Sequence, residues 1–200
     1  MDYKEVDLGI EIDGKKLIFA DRNVGANSVT DYGEYFAWGE ITPKITGYSW
    51  KDYKFSTSCD DTTFTKYNNI DKITTLELDD DAAHVNMGGD WRMPTERELL
   101  FLNIFTDKYW VENYQESGVN GIKYIGKNHL NNELFIPVSG FISNSKQNGF
   151  NMYGDIWSST LAPIDTAAAW FLDFGYNENG RLSYYFYRHL GFSVRGVKLV

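Results

Sequence analysis

With 200 residues, 42% of them apolar, the chain is long enough to close a core of its own without disulfide staples, and it has no apolar run that could span a bilayer. A formal net charge of −9 disfavours the phosphate backbone of nucleic acid, and no Lys/Arg stripe offsets it. The one cysteine, Cys59, excludes an intrachain disulfide and any Cys-based zinc or redox pair.

The opening residues, MDYKEVDLGIEIDG, lack a basic start followed by an apolar stretch, so no secretory signal is expected in them. Either the protein is not exported by that route or a leader has been trimmed. Prolines are few, Gly/Ser runs are short and no repeat period is present, so residues 1–200 are expected to form one domain. KKLIFADRNVG (15–25) reads as a first strand entering a turn. DYGEYFAWGE (31–40) is either a short helix or an aromatic loop, and periodicity does not decide between them. Residues 41–75, rich in Thr, Ser, Asp, Asn and Tyr, read as irregular surface structure, and TLELDDDAAH (75–84) as containing a short helix.

The best local signal is GGDWRMPTERELLFLNIF (88–105). Thr95 followed by Glu98 forms a capping box before an apolar run. Leu99, Leu102 and Phe105 share one stripe, with Leu100 and Ile104 beside it, so a helix is expected from Glu96 to Phe105. After Val119 everything reads as strand and turn: a hairpin at NGIKYIGKN, strands at ELFIPVSGF and GDIWSST, then AAWFLDFG, whose alternation sets Trp170, Leu172 and Phe174 against Phe171 and Asp173. RLSYYFYR and GFSVRGVKL are expected as a terminal pair. Helices early and antiparallel strands late make an α+β domain.

Catalytic and cofactor motifs are near misses. GIKYIGKN (121–128) approaches a phosphate-binding loop, but Asn128 stands where a hydroxyl must reach magnesium, and Ile-Lys-Tyr-Ile favours a strand. GFSVRG (191–196) has Arg195 at the second glycine of a nucleophile elbow, where bulk blocks the tight turn. His84, His129 and His189 lack metal spacing and read as surface or hydrogen-bonded residues. The acidic run ELDDD (77–81) lacks the ligand spacing of a calcium loop and reads as a solvated helix start. No cofactor and no metal are expected, and no membrane insertion.

GGDWRMPTERELL (88–100), IWSS (156–159), AWFLDF (169–174) and RHLGFSVRGVK (188–198) occur in an order that resembles the Fibrobacter succinogenes major paralogous domain and its Bacteroidetes relatives. VDLG (6–9), NVGA (23–26) and YGEYFAWGE (32–40) resemble the same relatives, so the likeness covers nearly the whole chain. It implies a C-type lectin-like fold of the formylglycine-generating-enzyme type, with two helices, antiparallel sheets and the termini brought together. The paired cysteines of the enzymatic branch are not present in this sequence. Nor are the Glu-Pro-Asn, Gln-Pro-Asp and Trp-Asn-Asp tripeptides of calcium-dependent lectins. The C-terminal third also resembles the variable proteins of diversity-generating retroelements. There, mutagenesis of Asn codons cannot yield Lys, Glu, Gln, Met or Trp, and LAPIDTA (161–167) and RLSYYFYRHLGFSVRG (181–196) contain none of these.

The resemblance implies a non-catalytic recognition domain, displayed on a bacterial surface or phage particle, binding a protein or glycan through its C-terminal strands and loops. The expected contact residues are Ile164, Asp165 and Thr166 from one loop, Tyr176 and Asn177 from another, and Tyr184, Tyr185, Tyr187, His189 and Leu190. Trp157, Trp170, Phe174, Arg188, Phe192 and Arg195 would be the fixed framework. Which face of the 184–187 run is core stays open, as does the oligomeric state. Two alternatives stand beside this reading. One is a carbohydrate-active enzyme using paired carboxylates, Asp165 with Asp173 or Asp155 with Glu178; the other is a structural module of a surface assembly.

Overall fold

The computed structural model describes residues 2–176, 178–183 and 186–200, with Glu178 and Asn179 described by backbone alone. The chain opens with a hairpin, β1 (Glu5–Ile12) and β2 (Lys15–Asn23), paired antiparallel with Ile12 opposite Lys15. Asp13 and Gly14 make the turn with φ of 52° and 80°. Positive φ at both central residues gives a turn whose twist matches that of the strands, and Asp-Gly suits it. A two-residue strand, β3 (Tyr35–Phe36), follows, and then helices α1 (Ala82–Met87) and α2 (Glu96–Phe105). Next come β4 (Thr106–Val111), β5 (Gly121–Gly126), β6 (His129–Pro137), β7 (Phe141–Ser143) and β8 (Lys146–Asn148). The chain closes with β9 (Tyr153–Leu161), β10 (Ala169–Gly175), β11 (Glu178–Ser183), β12 (Phe192–Ser193) and β13 (Arg195–Leu199). Among the described residues this is an α+β fold, with two α-helices and mostly antiparallel sheets.

The last strand returns to the first hairpin, giving a three-stranded sheet in the order β1-β2-β13 that brings the two chain ends together. The central sheet runs β11-β10-β9-β12-β3, antiparallel except where β12 lies parallel to β9 with Ser193 opposite Ile156. β4, β5 and β6 form a third sheet, and β7 and β8 a small hairpin.

The central sheet is buried on both faces. Side chains alternate along a strand, so Ile156, Leu172 and Phe174 join one core with Leu99, Leu102 and the β1-β2 hairpin, while Trp157, Phe171 and Phe192 join the other with Trp38, Tyr53 and Tyr67. Trp157 and Phe192 stack with centroids 4.0 Å apart, and Trp157 Nε1 donates to the Phe36 carbonyl at 2.9 Å. Two arginines are sealed inside. Arg195 donates to Asn23 Oδ1, the Ala20 carbonyl and the Phe135 carbonyl at 2.9, 3.1 and 3.2 Å, tying β13 to β2 and β6. Arg188 donates to the Tyr67 carbonyl at 3.0 Å, and its guanidinium lies 3.9 Å from the Phe64 ring centroid, 5.4 Å from that of Trp38 and 5.5 Å from that of Tyr53.

α2 has the expected span, and its capping box is complete: Thr95 accepts from the Glu98 N–H, and the Glu98 carboxylate accepts from the Thr95 N–H. Leu99 and Leu102 are buried as expected, but Phe105, at the helix end, is exposed beside Leu100 and Ile104. Of the two alternatives for residues 31–40 the loop is found, and three other expectations are corrected. Residues 31–40 hold β3 in an otherwise irregular segment. Residues 41–75 are irregular but not merely surface: Tyr48, Tyr53, Phe55 and Tyr67 are core residues, and this polar-looking segment supplies most of the cage around Arg188. The acidic run is a helix start, as expected, with Asp81 capping α1, but it is solvated only at Glu77 and Asp79, because Asp80 and Asp81 are buried. Among the described residues RLSYYFYR and GFSVRGVKL are not paired with each other; β11 edges β10, while β12 and β13 join different sheets. Alternation reveals faces, not partners.

Replacing Arg195 with Met removes the donor from three acceptors at once. The expected loss of stability is about 3 kcal/mol, because buried acceptors left unmade cost their full desolvation. A urea titration reads it, and a loss under about 1 kcal/mol would show that the three bonds do not hold the sheets together.

Candidate functional site

The residues between β9 and β10 turn through Asp165, whose Oδ1 accepts from the Ala167 N–H at 2.8 Å and whose carbonyl accepts from the Ala168 N–H at 3.0 Å. This tight turn holds Ile164 out to solvent at 84% exposure, with Asp165 also exposed and Thr166 half-buried. Ala168 bridges Tyr187, and the Arg188 N–H donates to the Ala167 carbonyl at 2.9 Å, so the loop and the returning segment form one surface. Tyr187, 40% exposed, stacks on His189 at 5.9 Å and meets Trp50 at 5.5 Å, while His189 lies 4.3 Å from Trp50. Trp50 was not anticipated here, though its place in a run of spaced aromatics, Trp50, Tyr53, Phe55, was a usable signal. Leu190 departs from expectation: at 6% exposure it belongs to the core and supports this surface from below.

Tyr176 stands elsewhere. It follows β10 at the end opposite the 162–168 loop, roughly 20 Å along the strand at 3.3 Å per residue. It is 64% exposed and meets Trp110 edge-on at 5.8 Å. Asn177, Tyr184 and Tyr185 lie outside the described residues. The expected set therefore occupies two places, one at each end of β10. Phe186, 38% exposed, packs on Phe171 and Phe141 at 5.4 Å each.

At the Tyr176 end a cavity of about 370 Å³ opens between Phe186, Met152, Tyr153 and Tyr176. Its floor is a row of side chains crossing three strands. Asp155 of β9 is opposite Asp173 of β10, which is opposite Arg181 of β11. Arg181 Nε donates to Asp173 Oδ2 at 2.9 Å, and Nη2 lies 2.9 Å from the same oxygen as an ion pair. Asp155 is 1% exposed, and neither of its carboxylate oxygens has a hydrogen-bond partner. Burial, reinforced by the Asp173 charge and eased by that of Arg181, pushes the Asp155 carboxyl well above its ordinary 3.8. Of the carboxylate pairs expected from sequence, Asp165 and Asp173 lie toward opposite ends of β10, and the Glu178 side chain lies outside what is described; Asp155 and Asp173, one from each pair, face each other.

The histidines do not gather. His84 Nδ1 is 3.0 Å from the Trp91 carbonyl oxygen, His129 lies 3.7 Å from Asp7, and the buried Nδ1 of His189 has no partner. Burial, with a smaller push from Lys44, lowers the His189 imidazole to about 4. Among the described residues no group of three His, Cys, Asp or Glu side chains could hold a metal, and no helix is long and apolar enough to cross a membrane. Comparison with family models, curated proteins and solved structures finds no match to this chain.

Because the folded protein binds a proton at Asp155 more tightly than the unfolded chain does, stability should fall as pH rises from near 3.8 toward the raised native value. Asp155→Asn should match the wild type at pH 4 and exceed it at pH 8 in thermal melts. Equal melting at both pH values would place Asp155 in contact with water. His189 works in the opposite sense. Its native value of about 4 lies below the ordinary 6.5, so stability present at neutral pH is lost as pH falls through that interval. His189→Gln should flatten the loss between pH 7 and 4, and an unchanged acid limb would show that His189 is not the group responsible.

Proposed function

We propose that this chain is a non-catalytic recognition domain of the C-type lectin-like kind, displayed on a bacterial surface or phage particle. It binds a protein or glycan through the C-terminal surface built from Ile164, Asp165, Thr166, Tyr187 and His189, with Tyr176 at its far end. One observation carries the reading: exposed Ile164, Tyr176 and Tyr187 stand on a framework, Trp157, Phe174, Arg188, Phe192 and Arg195, that is essentially sealed from solvent. Large side chains held out by a rigid base are what a binding surface needs, since little entropy is lost when a partner covers them. Tyrosine adds a polar tip to a broad face, as in other adaptable binding surfaces. The meeting of the two chain ends in β1-β2-β13 and the two helices agree with the proposed fold. Segments 161–167 and 181–196, the stretches compatible with retroelement diversification, include Ile164, Asp165, Thr166, Tyr187 and His189.

A second reading, a carbohydrate-active enzyme, is favoured by the facing carboxylates of Asp155 and Asp173. Directly opposed cross-strand residues hold their Cβ atoms about 5 Å apart, a spacing from which a nucleophile and an acid could work. It requires glycoside hydrolysis that disappears in Asp155→Asn, and a folded wild-type chain without such activity ends it.

The recognition reading is tested by a pull-down against envelope extracts of candidate host bacteria, followed by titration of the captured ligand. Paired Ile164→Ala and Tyr187→Ala substitutions should weaken binding roughly a hundredfold, as loss of two exposed anchors does. The melting temperature should stay within about 2 °C, because exposed side chains contribute little to folding. Unchanged binding, or a large melting loss, overturns the assignment of this surface.

A further inference from the structure

We propose that the cavity over the Asp155–Asp173–Arg181 row is a receptor for a cationic group, a primary ammonium or a guanidinium, carried by a Lys or Arg side chain of a protein ligand or by a free small amine. The inference rests on the recognition reading in placing a ligand at the C-terminal surface, and it adds the chemistry by which one part of that ligand is held.

Three features lead to it. The first is a deficit of charge. The described lining holds two carboxylates and one guanidinium, and Arg181 is already committed to Asp173. One further positive charge would balance the row. In the empty site burial favours the protonated form of the Asp155 carboxyl; among the described residues, Asp173, Arg181, Tyr153 and Tyr176 are the charged and hydroxyl-bearing groups that line the cavity with it. An incoming cation can replace that proton, which leaves to solvent.

The second feature is the orphaned pair of oxygens on Asp155. Among the described residues four other carboxylates are buried, and each of them has donors. Glu40 takes Lys44 and the Lys54 N–H; Asp80 takes Lys54, Lys66 and Tyr67. Asp81 takes the His84 and Met93 N–H groups, and Glu98 takes Arg92 and the Thr95 N–H. Of the buried carboxylates described, Asp155, which lines the cavity, is the one with no donor. An ammonium brings three N–H donors and a guanidinium five, enough to occupy both oxygens.

The third feature is the wall. Phe186, Tyr153 and Tyr176 offer aromatic faces and edges and Met152 an apolar flank. Aromatic faces attract cations, and apolar surface accommodates the methylene stem that a lysine or an alkylamine carries. The volume, about 370 Å³, is near the lower end for small-ligand sites and suits a side chain rather than an oligosaccharide.

The test titrates the intact chain with n-butylamine, Nα-acetyl-lysine methylamide, Nα-acetyl-arginine methylamide, neutral Nα-acetyl-norleucine methylamide and methyl glucoside. The Asp155 carboxyl carbon is followed by NMR, with calorimetry in two buffers of different ionisation heat. Saturable binding of the cationic probes with proton release, and none by norleucine amide or glucoside, is the expected result. Tighter binding of the amino-acid amides than of butylamine would support a protein side chain as the carrier, and equal affinity a free amine. Asp155→Asn should weaken binding roughly tenfold or more while remaining folded, because it withdraws the charge a desolvated cation needs. Arg181→Gln should strengthen binding, since the row loses its resident cation, whereas simple loosening of the pocket would weaken it. Binding of the neutral probe as well as the cations, binding of the sugar alone, or indifference to Asp155→Asn overturns the proposal. These outcomes are separate from the recognition reading. That reading falls if substitution at Ile164 and Tyr187 leaves macromolecular binding intact, and the amine assay does not involve that ligand.

Discussion

The fold is organised around two guanidinium groups, Arg188 and Arg195, that are buried without a carboxylate partner among the described residues. A charge withdrawn from water must be met by oriented dipoles or by π-electrons, and the chain uses one solution for each. Arg195 is met by three oxygens from β2 and β6, so the C-terminal strand can sit in only one register against the opening hairpin. Burial still lowers its guanidinium to about 9, because almost no solvent reaches it. Arg188 is met by one carbonyl and a ring of aromatics drawn from residues 38–67. Hence the irregular segment needs no regular secondary structure to be fixed in place. It is wrapped on a cation.

Six residues separate the two arginines, and between them the chain crosses from one core to the other side of the sheet. That places Tyr187 and His189 on either side of a fully buried residue. Their backbone cannot move without disturbing Arg188, whose N–H and carbonyl bond Ala167 and Trp38. The exposed surface thus inherits its rigidity from the cage beneath it. His189, held neutral by burial and wedged against Trp50, extends that packing outward.

Much of this was legible where the signal is local. The capping box at Thr95 and Glu98, and the strands 15–23, 154–160 and 168–175, announce themselves through spacing alone. β1 is legible too: Val6, Leu8, Ile10 and Ile12 alternate into Asp13-Gly14, the strongest short-range hairpin signal there is. What could not be read was pairing. The short β12 lies parallel to β9 and antiparallel to β3, and no periodicity within a two-residue strand reports on either. The core role of residues 41–75 was hidden because Tyr and Trp among polar neighbours look alike whether they cover a cation or face water. The candidate surface was legible at Ile164, Asp165 and Tyr187; the pocket was not, since Asp155, Asp173 and Arg181 meet only through register.

Register also explains why the pocket differs in kind from the other polar interiors. Asp80, Asp81, Glu98 and Glu40 each lie beside helices or loops, where backbone N–H groups and flexible lysines can turn toward a carboxylate. Asp155 sits inside a central strand, where the ladder has already taken the neighbouring N–H groups and the nearest side chain across the sheet is another carboxylate. A sheet can relieve such a position by substituting an apolar residue, as it does two residues along at Trp157 and Phe171. Here the row keeps two acids and places one arginine at its outer edge. Stability gains nothing from a buried acid beside another acid, because each raises the cost of ionising its neighbour. The arrangement makes physical sense once a positive charge enters from the open side, where the cavity and its aromatic walls are.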